Sequence, residues 1–247
     1  LVGSEMCIRD RIYVGRKKGF YSLISIGLTV LLITHALSPL ILIGINPVLA
    51  TILICVASTA ATMYLVGGCN AKSTSAVIGA MLSLLFAGLL SYITMFTAHL
   101  TGFTEENSMF LYTAHPELDF IGITISTMIL ATLGAVMDVA MSVSSSLHEI
   151  KENRPDISAK EIFHAGINIG RDMIGTMSNT LILAYAGGSL GLVMIIYAYS
   201  YQMHQILNMY SVAIEIMRGI SGTMGIILTV PITSLIMSVL LTQKGKK

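Results

Sequence analysis

FIGITISTMILATLGAVMDVAMSVSSSL, residues 120–147, is the stretch of sequence that decides the fold. It is almost entirely apolar and carries a single charged residue, Asp138. About 20 mostly apolar residues are enough to cross the hydrocarbon core of a bilayer as a helix. The stretch therefore predicts a transmembrane helix with a carboxyl group deep inside it, and a charge at that depth usually marks a functional site.

The rest of the chain has the same apolar character. Its mean hydropathy is +0.80, with 54% hydrophobic and 11% charged residues, whereas about 25% of the residues in a soluble domain are charged. This composition predicts a polytopic membrane protein. A net charge of +1 argues against binding to nucleic acid. The three cysteines form no CxxC motif and have no His-rich tract beside them, so we expect neither a metal site nor a cofactor.

Hydropathy and turn residues predict an all-α bundle in one transmembrane domain, residues 12–247. Six spans are expected, at residues 20–43, 47–66, 73–99, 120–147, 164–186 and 213–241. The segment 190–207 is ambiguous, because it begins apolar and becomes polar from Tyr199 onward.

The distribution of basic residues distinguishes between six and seven spans. With six spans, all of the 14 Lys and Arg residues except Arg171 and Arg218 fall on one side of the membrane. The positive-inside rule makes that side cytoplasmic, so both termini are predicted to be cytoplasmic. A seventh span would place the terminal KGKK outside. We therefore predict that residues 190–207 form a re-entrant or interfacial helix on the outer side, with seven spans as the alternative.

The first eleven residues, LVGSEMCIRDR, begin without Met and differ in character from the apolar spans after them. They resemble translated sequencing-adapter read-through, and we leave residues 1–11 out of the fold prediction as an artefact. We expect that the natural amino terminus is missing, together with any upstream domain.

Helix geometry predicts that two opposite charges lie at comparable depth. Asp138 lies about 15 Å from the end of its span at His148, and Arg171 roughly 10 Å after His164, at 1.5 Å per residue. The connector HEIKENRPDISAKEIF, residues 148–163, is short enough for antiparallel packing of the two helices. We therefore predict an ion pair in which Asp138 loads and unloads a proton as Arg171 approaches or withdraws. The alternative is a buried pair that only fixes helix register.

Polar residues around this pair extend the predicted site. The fifth span presents further polar side chains at helical spacing, and the expected ion-coupling set is Asp138, Arg171, Asp172, Thr176 and Asn179. Hydrogen bonding between helices by Ser, Thr and Asn is the alternative explanation. His148 and Glu149 open the predicted cytoplasmic connector.

Two long stretches carry a family resemblance. LGAVMDVAMSVSSSLHEIKEN from Leu133 and NIGRDMIGTMSNTLILAYAGG from Asn168 identify the chain as a member of the YibE/F family of bacterial multi-pass membrane proteins. The resemblance covers nearly everything after about Arg16. It implies a location in the bacterial cytoplasmic membrane and supplies no biochemical activity. Some members carry an additional amino-terminal portion.

Residues 133–188 also resemble, at the level of motifs, the membrane half of SecF and related RND-type proteins. A comparable Asp and Arg on adjacent helices are implicated in proton coupling there, which implies roles for Asp138, Arg171 and Thr176. HEIKEN from His148 is similar to the DRIREN segment of that family. Two departures are the missing exported domain between the first two spans and the extra apolar piece after Gly188. Half-size units of this type pair with a second half, which implies a homodimer or a related membrane partner.

Together these features favour ion-coupled transport or energy coupling, with Asp138 as proton carrier and Arg171 as its electrostatic switch. The alternative is a non-transporting membrane scaffold or assembly subunit. An enzyme is not expected, because HExxH, GxSxG and P-loop motifs are absent. The expected partners are the lipid bilayer and a second membrane protein.

Overall fold

A computed structural model describes residues 19–103 and 106–244, and within these ranges the chain is helical without strands. The predicted all-α class is therefore confirmed. Residues 1–11 lie outside the described residues. The helices are α1 (Gly19–Leu42), α2 (Pro47–Gly67), α3 (Ala71–Thr97), α4 (Glu106–Ala114), α5 (Phe120–Asn153), α6 (Ala159–Gly188), α7 (Leu190–Ala198), α8 (Met203–Leu207) and α9 (Tyr210–Lys244).

The described helices give five or six candidate spans, in line with the predicted six. Helices α1, α2, α3, α5 and α9 are each long and apolar enough to cross a membrane. Helix α6 qualifies together with α7, from which it is bent by 54° in the manner of a broken span or a re-entrant loop. Residues 190–207 form two short helices, so no straight seventh span exists in the described part of the chain.

Two helices exceed their predicted bounds at the connector. Helix α5 continues to Asn153, and α6 already begins after the cap residue Ser158. The Ser158 hydroxyl accepts a hydrogen bond from the Glu161 backbone N–H at 3.3 Å, and the Glu161 carboxylate accepts one from the Ser158 backbone N–H at 2.9 Å. This reciprocal capping box satisfies the free N–H groups at the start of α6, and its spacing is visible in the sequence.

The core lies where α3, α5 and α9 meet, with α2 and α6 packed around them. Lipid provides no hydrophobic force between helices, so close packing through small residues must hold the bundle together. Gly79 of α3 lies against Thr233 of α9, and Gly170 of α6 lies against Val230 of α9. Fully buried apolar side chains such as Val136 fill the space between these contacts.

Helix α1 is less buried than α2, α3, α5 and α9. Its most apolar window is 11% buried, compared with 56% for α5. Leu37 of α1 packs with Ala50 and Ile54 of α2 in a small separate cluster. Residues Ile33–Leu37 form a π-helical segment, and such segments occur frequently at functional sites because they leave backbone groups displaced from regular α-helical bonding.

Candidate functional site

Asp138 lies near the middle of α5 and lines a cavity of about 400 Å³ between α1, α2 and α5. At 1.5 Å per residue it is about 27 Å from Phe120 and about 22 Å from Asn153. The helix is long enough to project beyond a hydrocarbon core of about 30 Å at both ends. Asp138 is therefore near the middle of the apolar span, and the residue is exposed at the cavity.

The wall of the cavity opposite Asp138 is rich in hydroxyl groups. These come from residues spaced three or four apart, so that each helix presents its hydroxyls on one face. They are Ser22, Ser25 and Thr29 of α1 and Ser58 and Thr62 of α2. The π-helical segment of α1 contributes Ile33 to the same wall.

Hydroxyl pairs hold α1 and α2 together beside the carboxyl group. The Ser25 hydroxyl donates to Thr62 Oγ1 at 2.5 Å, and Thr29 Oγ1 lies 2.7 Å from Ser58 Oγ. Thr29 Oγ1 also donates to the Ser25 carbonyl oxygen at 3.0 Å. The wall is therefore an ordered polar surface. Rotation about the C–O bond of each hydroxyl can point its proton toward the cavity or away from it.

The hydroxyl bridge between Ser25 and Thr62 should contribute measurably to stability. In a double-mutant cycle with Ser25→Ala and Thr62→Val, we expect an interaction energy of about 0.6 kcal/mol and at most about 1.7 kcal/mol, the range found for such bonds in membrane proteins. Unfolding of the purified variants in detergent measures it. Thr34→Val is the matched control, since the Thr34 hydroxyl bonds back to its own helix at Val30. Strict additivity of Ser25→Ala and Thr62→Val would contradict the bridge.

A carboxylate and hydroxyl oxygens that line the same cavity can together bind a proton or a small hard cation. Oxygen ligands suit such ions, and a carboxyl group held in a polar pocket inside the membrane is the usual element of an ion pathway. Among the described residues no group of three or more His, Cys, Asp or Glu is placed to hold a metal ion. The described lining of the cavity thus combines one titratable side chain, Asp138, with neutral hydroxyl groups and with apolar side chains such as those of Leu133 and Met137.

Arg171 does not lie in this cavity. It is exposed on α6, and among the described residues no ion pair joins it to Asp138. The physical reason is helix rotation. Helix α6 shares a core cluster with Val139 and Val143 of α5, and at about 100° per residue Val143 lies roughly 140° around the helix from Asp138. The predicted contact between the two charges is therefore not formed.

The other predicted polar residues of α6 lie on the same exposed side as Arg171. Asp172, Thr176 and Asn179 are all exposed. The Thr176 hydroxyl donates back to the carbonyl oxygens of Asp172 and Met173, at 3.3 and 3.2 Å, so its hydrogen bond is made within its own helix. The ion-coupling roles predicted for these residues stay predictions, and the structure does not bring any of them to Asp138.

His148 and Glu149 lie at the connector end of α5, inside the last turns of the helix. His148 Nε2 is 3.3 Å from a carboxylate oxygen of Glu152, one turn further on. Glu149 is exposed and lines a shallow cavity with Arg154. Both residues are helical and far along α5 from Asp138, so they do not form part of the cavity.

A charged pair on α9 is partly buried in the bundle. Arg218 Nη1 is 2.7 Å from Glu215 Oε1 on α9, and their side chains are 20% and 26% exposed. Glu215 also lines a second cavity of about 360 Å³, with Tyr185 and Gly219. A three-residue spacing is typical of an ion pair on one face of a helix, but it does not indicate how far the pair is buried.

Sequence reasoning missed the hydroxyl wall. The spacing of Ser22, Ser25 and Thr29 was available as a signal, but Ser and Thr are common in membrane helices and rarely stand out. Only the packing of α1 against α2 and α5 shows that these hydroxyls face the carboxyl group.

The fold and the site together define a multi-pass α-helical membrane protein with a carboxyl group near the middle of a span, on a cavity lined by hydroxyl-bearing and apolar residues. The chain belongs to the YibE/F-like protein family, whose match covers residues 11–243. This confirms the resemblance found in the sequence. No curated protein and no solved structure matches the chain significantly.

Proposed function

We propose that the protein is an ion-coupled transport or energy-coupling protein of the bacterial cytoplasmic membrane, in which Asp138 binds and releases a proton or a small cation. The observation that carries the proposal is that Asp138, an exposed residue near the middle of α5, lines a cavity together with five hydroxyl-bearing residues. A membrane protein does not need a carboxyl group at this depth for packing, because apolar residues would fill the space at lower cost.

The sequence predicted that Arg171 controls the protonation of Asp138, and the proposed mechanism assigns this control to α1 instead. Arg171 is not in contact with Asp138, so movement of α1 takes the place of an approaching guanidinium. The hydroxyls of Ser25 and Thr29 belong to α1, whose most apolar window is only 11% buried. Displacement of α1 would withdraw polar oxygens from the carboxyl group, and this change of surroundings alters the relative stability of its charged and neutral forms.

The proposed orientation follows the basic residues. The connector between α5 and α6 carries Lys151, Arg154 and Lys160, and we assign this side to the cytoplasm by the positive-inside rule. Both termini then lie in the cytoplasm, and the loop before α5 lies outside. A transported species is not part of the proposal, which concerns the coupling ion alone.

Infrared titration of the purified protein in lipid tests the proposal. The wild type should show a C=O stretching band of a protonated carboxyl group that disappears reversibly as pH rises, and Asp138→Asn should lack this band. Glu149→Gln, which removes an exposed carboxylate from the same helix, should keep it. If Na⁺ competes for the site, adding it at constant pH should also reduce the band. A spectrum unchanged by Asp138→Asn at every pH and Na⁺ concentration would refute the proposal.

A further inference from the structure

Helix α6 presents a polar face that no other described part of the chain covers. Its opposite face is buried in the bundle through Ile162, Gly166, Gly170 and Leu181. The exposed side carries Asn168, Arg171, Asp172, Gly175 and Asn179. Helix α7, the next in sequence, bends away beyond Gly188 by 54°, so it does not fold back over this surface.

These side chains lie at membrane depth. At 1.5 Å per residue, Arg171 and Asp172 are about 10 to 12 Å from His164, and Asn179 is about 22 Å from it. Within residues 19–103 and 106–244, the side chains of Arg171, Asp172 and Asn179 make no hydrogen bond or ion pair. A long Arg side chain can reach the headgroup region, but the short side chains of Asp and Asn cannot. The face therefore needs a polar partner.

The two charges are arranged so that this face complements itself. At about 100° per residue, Asn168, Gly175 and Asn179 lie along one line of the helix, and Arg171 and Asp172 flank it roughly 50° to either side. Two copies in one bilayer share an orientation, so their symmetry axis runs along the membrane normal and their α6 helices are parallel. A two-fold rotation then sets the basic flank of one helix against the acidic flank of the other, as in parallel coiled coils.

We propose that the protein forms a homodimer through the α6 face, with Arg171 of each copy paired to Asp172 of the other. The pairing is made twice, once on each side of the axis, and each charge is neutralised by an opposite one. A Cβ added at Gly175 meets nothing within 4 Å, so this glycine leaves the centre of the face open for close approach of two backbones. Asn168 and Asn179 lie on the same line and can hydrogen-bond with their symmetry mates.

Charge reversals test this pairing directly. Two differently tagged forms are co-expressed, one tag is captured, and the other is measured in the eluate. Arg171→Asp places acidic residues against acidic ones, and Asp172→Arg places basic residues against basic ones. Each variant expressed in both tagged forms should lose co-purification by about tenfold or more, because like charges meet at the interface. Wild-type forms should co-purify.

Mixing the two variants gives the decisive result. A chain with Arg171→Asp and a chain with Asp172→Arg form two opposite-charge pairs with each other, although neither can pair with itself. Their co-purification should return to the wild-type level. The double variant R171D/D172R should also self-associate. Arg154→Asp, an exposed charge reversal on the connector, should leave wild-type association unchanged.

Cysteine cross-linking tests the position of the axis. In a chain whose cysteines at positions 7, 55 and 69 are replaced by Ala, Gly175→Cys should form a disulfide with its own copy on oxidation. Leu53→Cys, on α2 and 67% exposed, should not. Melting temperatures of all variants in detergent show that they fold.

Three results would overturn the proposal. The first is a wild-type protein that is monomeric in nanodiscs, including nanodiscs of anionic lipid. The second is association that both single reversals leave intact. The third is a mixture of R171D and D172R chains that fails to associate while each folds, because another protein or a lipid headgroup would then be the occupant of this face.

Discussion

Asp138→Asn should reduce ion movement across proteoliposomes to the level of protein-free vesicles while leaving the protein folded. Asn has nearly the volume of Asp and keeps its capacity for hydrogen bonds, but it cannot carry a charge or exchange a proton. Asn can therefore keep hydrogen bonds that the carboxyl group accepts, whereas proton exchange at this position is lost. The flux measurement uses a pH-sensitive dye inside the vesicles after an imposed pH or Na⁺ gradient.

Two control variants sharpen this result. Asp138→Glu keeps a carboxyl group and should retain part of the flux, and Glu149→Gln on the same helix should retain all of it. The scaffold alternative predicts the reverse pattern. In a scaffold, wild-type vesicles would show no flux above background, and Asp138→Asn would lower the melting temperature because a structural contact is lost. That outcome would remove ion coupling from the interpretation.

Gly79→Val should strongly destabilise the bundle. A Cβ at Gly79 would lie 3.0 Å from Thr233 Cβ and 3.1 Å from its Cα. A rotation of the Thr233 side chain cannot relieve contacts with the backbone, so α3 and α9 would have to separate. Overpacking of this kind costs about 1 to 3 kcal/mol or more. Unfolding in detergent, followed by circular dichroism, measures the loss.

Gly27→Val is the matched control for this prediction. It makes the same change inside a transmembrane helix, but a Cβ at Gly27 meets nothing within 4 Å. The difference between the two variants therefore isolates the contact between α3 and α9 from the change in helix propensity. Equal stability of Gly27→Val and Gly79→Val would show that the two helices are not packed this closely.

Most of the bundle follows from the sequence, because the membrane constrains it so strongly. A long apolar run must be a helix to satisfy its backbone in lipid, and the spans lie within a few residues of their predicted bounds at most ends. The connector is the exception. HEIKEN is polar enough to end a span but contains good helix formers, so α5 continues through it into water as far as Asn153.

The candidate site was predicted only in part, because the depth of a residue in the membrane does not determine how its helix is rotated about its own axis. Counting residues from His148 and His164 places Asp138 and Arg171 at similar depths, and it says nothing about which way each helix is turned. Rotation depends on where small residues allow contact, and Gly166 and Gly170 turn α6 toward α9. Arg171 consequently faces outward, and Asp138 faces α1 and α2 instead.

Because little of α1 is buried, this helix should separate from the bundle more easily than α3, α5 and α9 separate from each other. Local openings of a protein require less free energy than global unfolding when few buried contacts must break. The span that supplies Ser22, Ser25 and Thr29 is only 11% buried over its most apolar window. A fluctuation confined to this one helix can therefore widen the access to Asp138, which is already exposed at the cavity, while α3, α5 and α9 remain packed against each other.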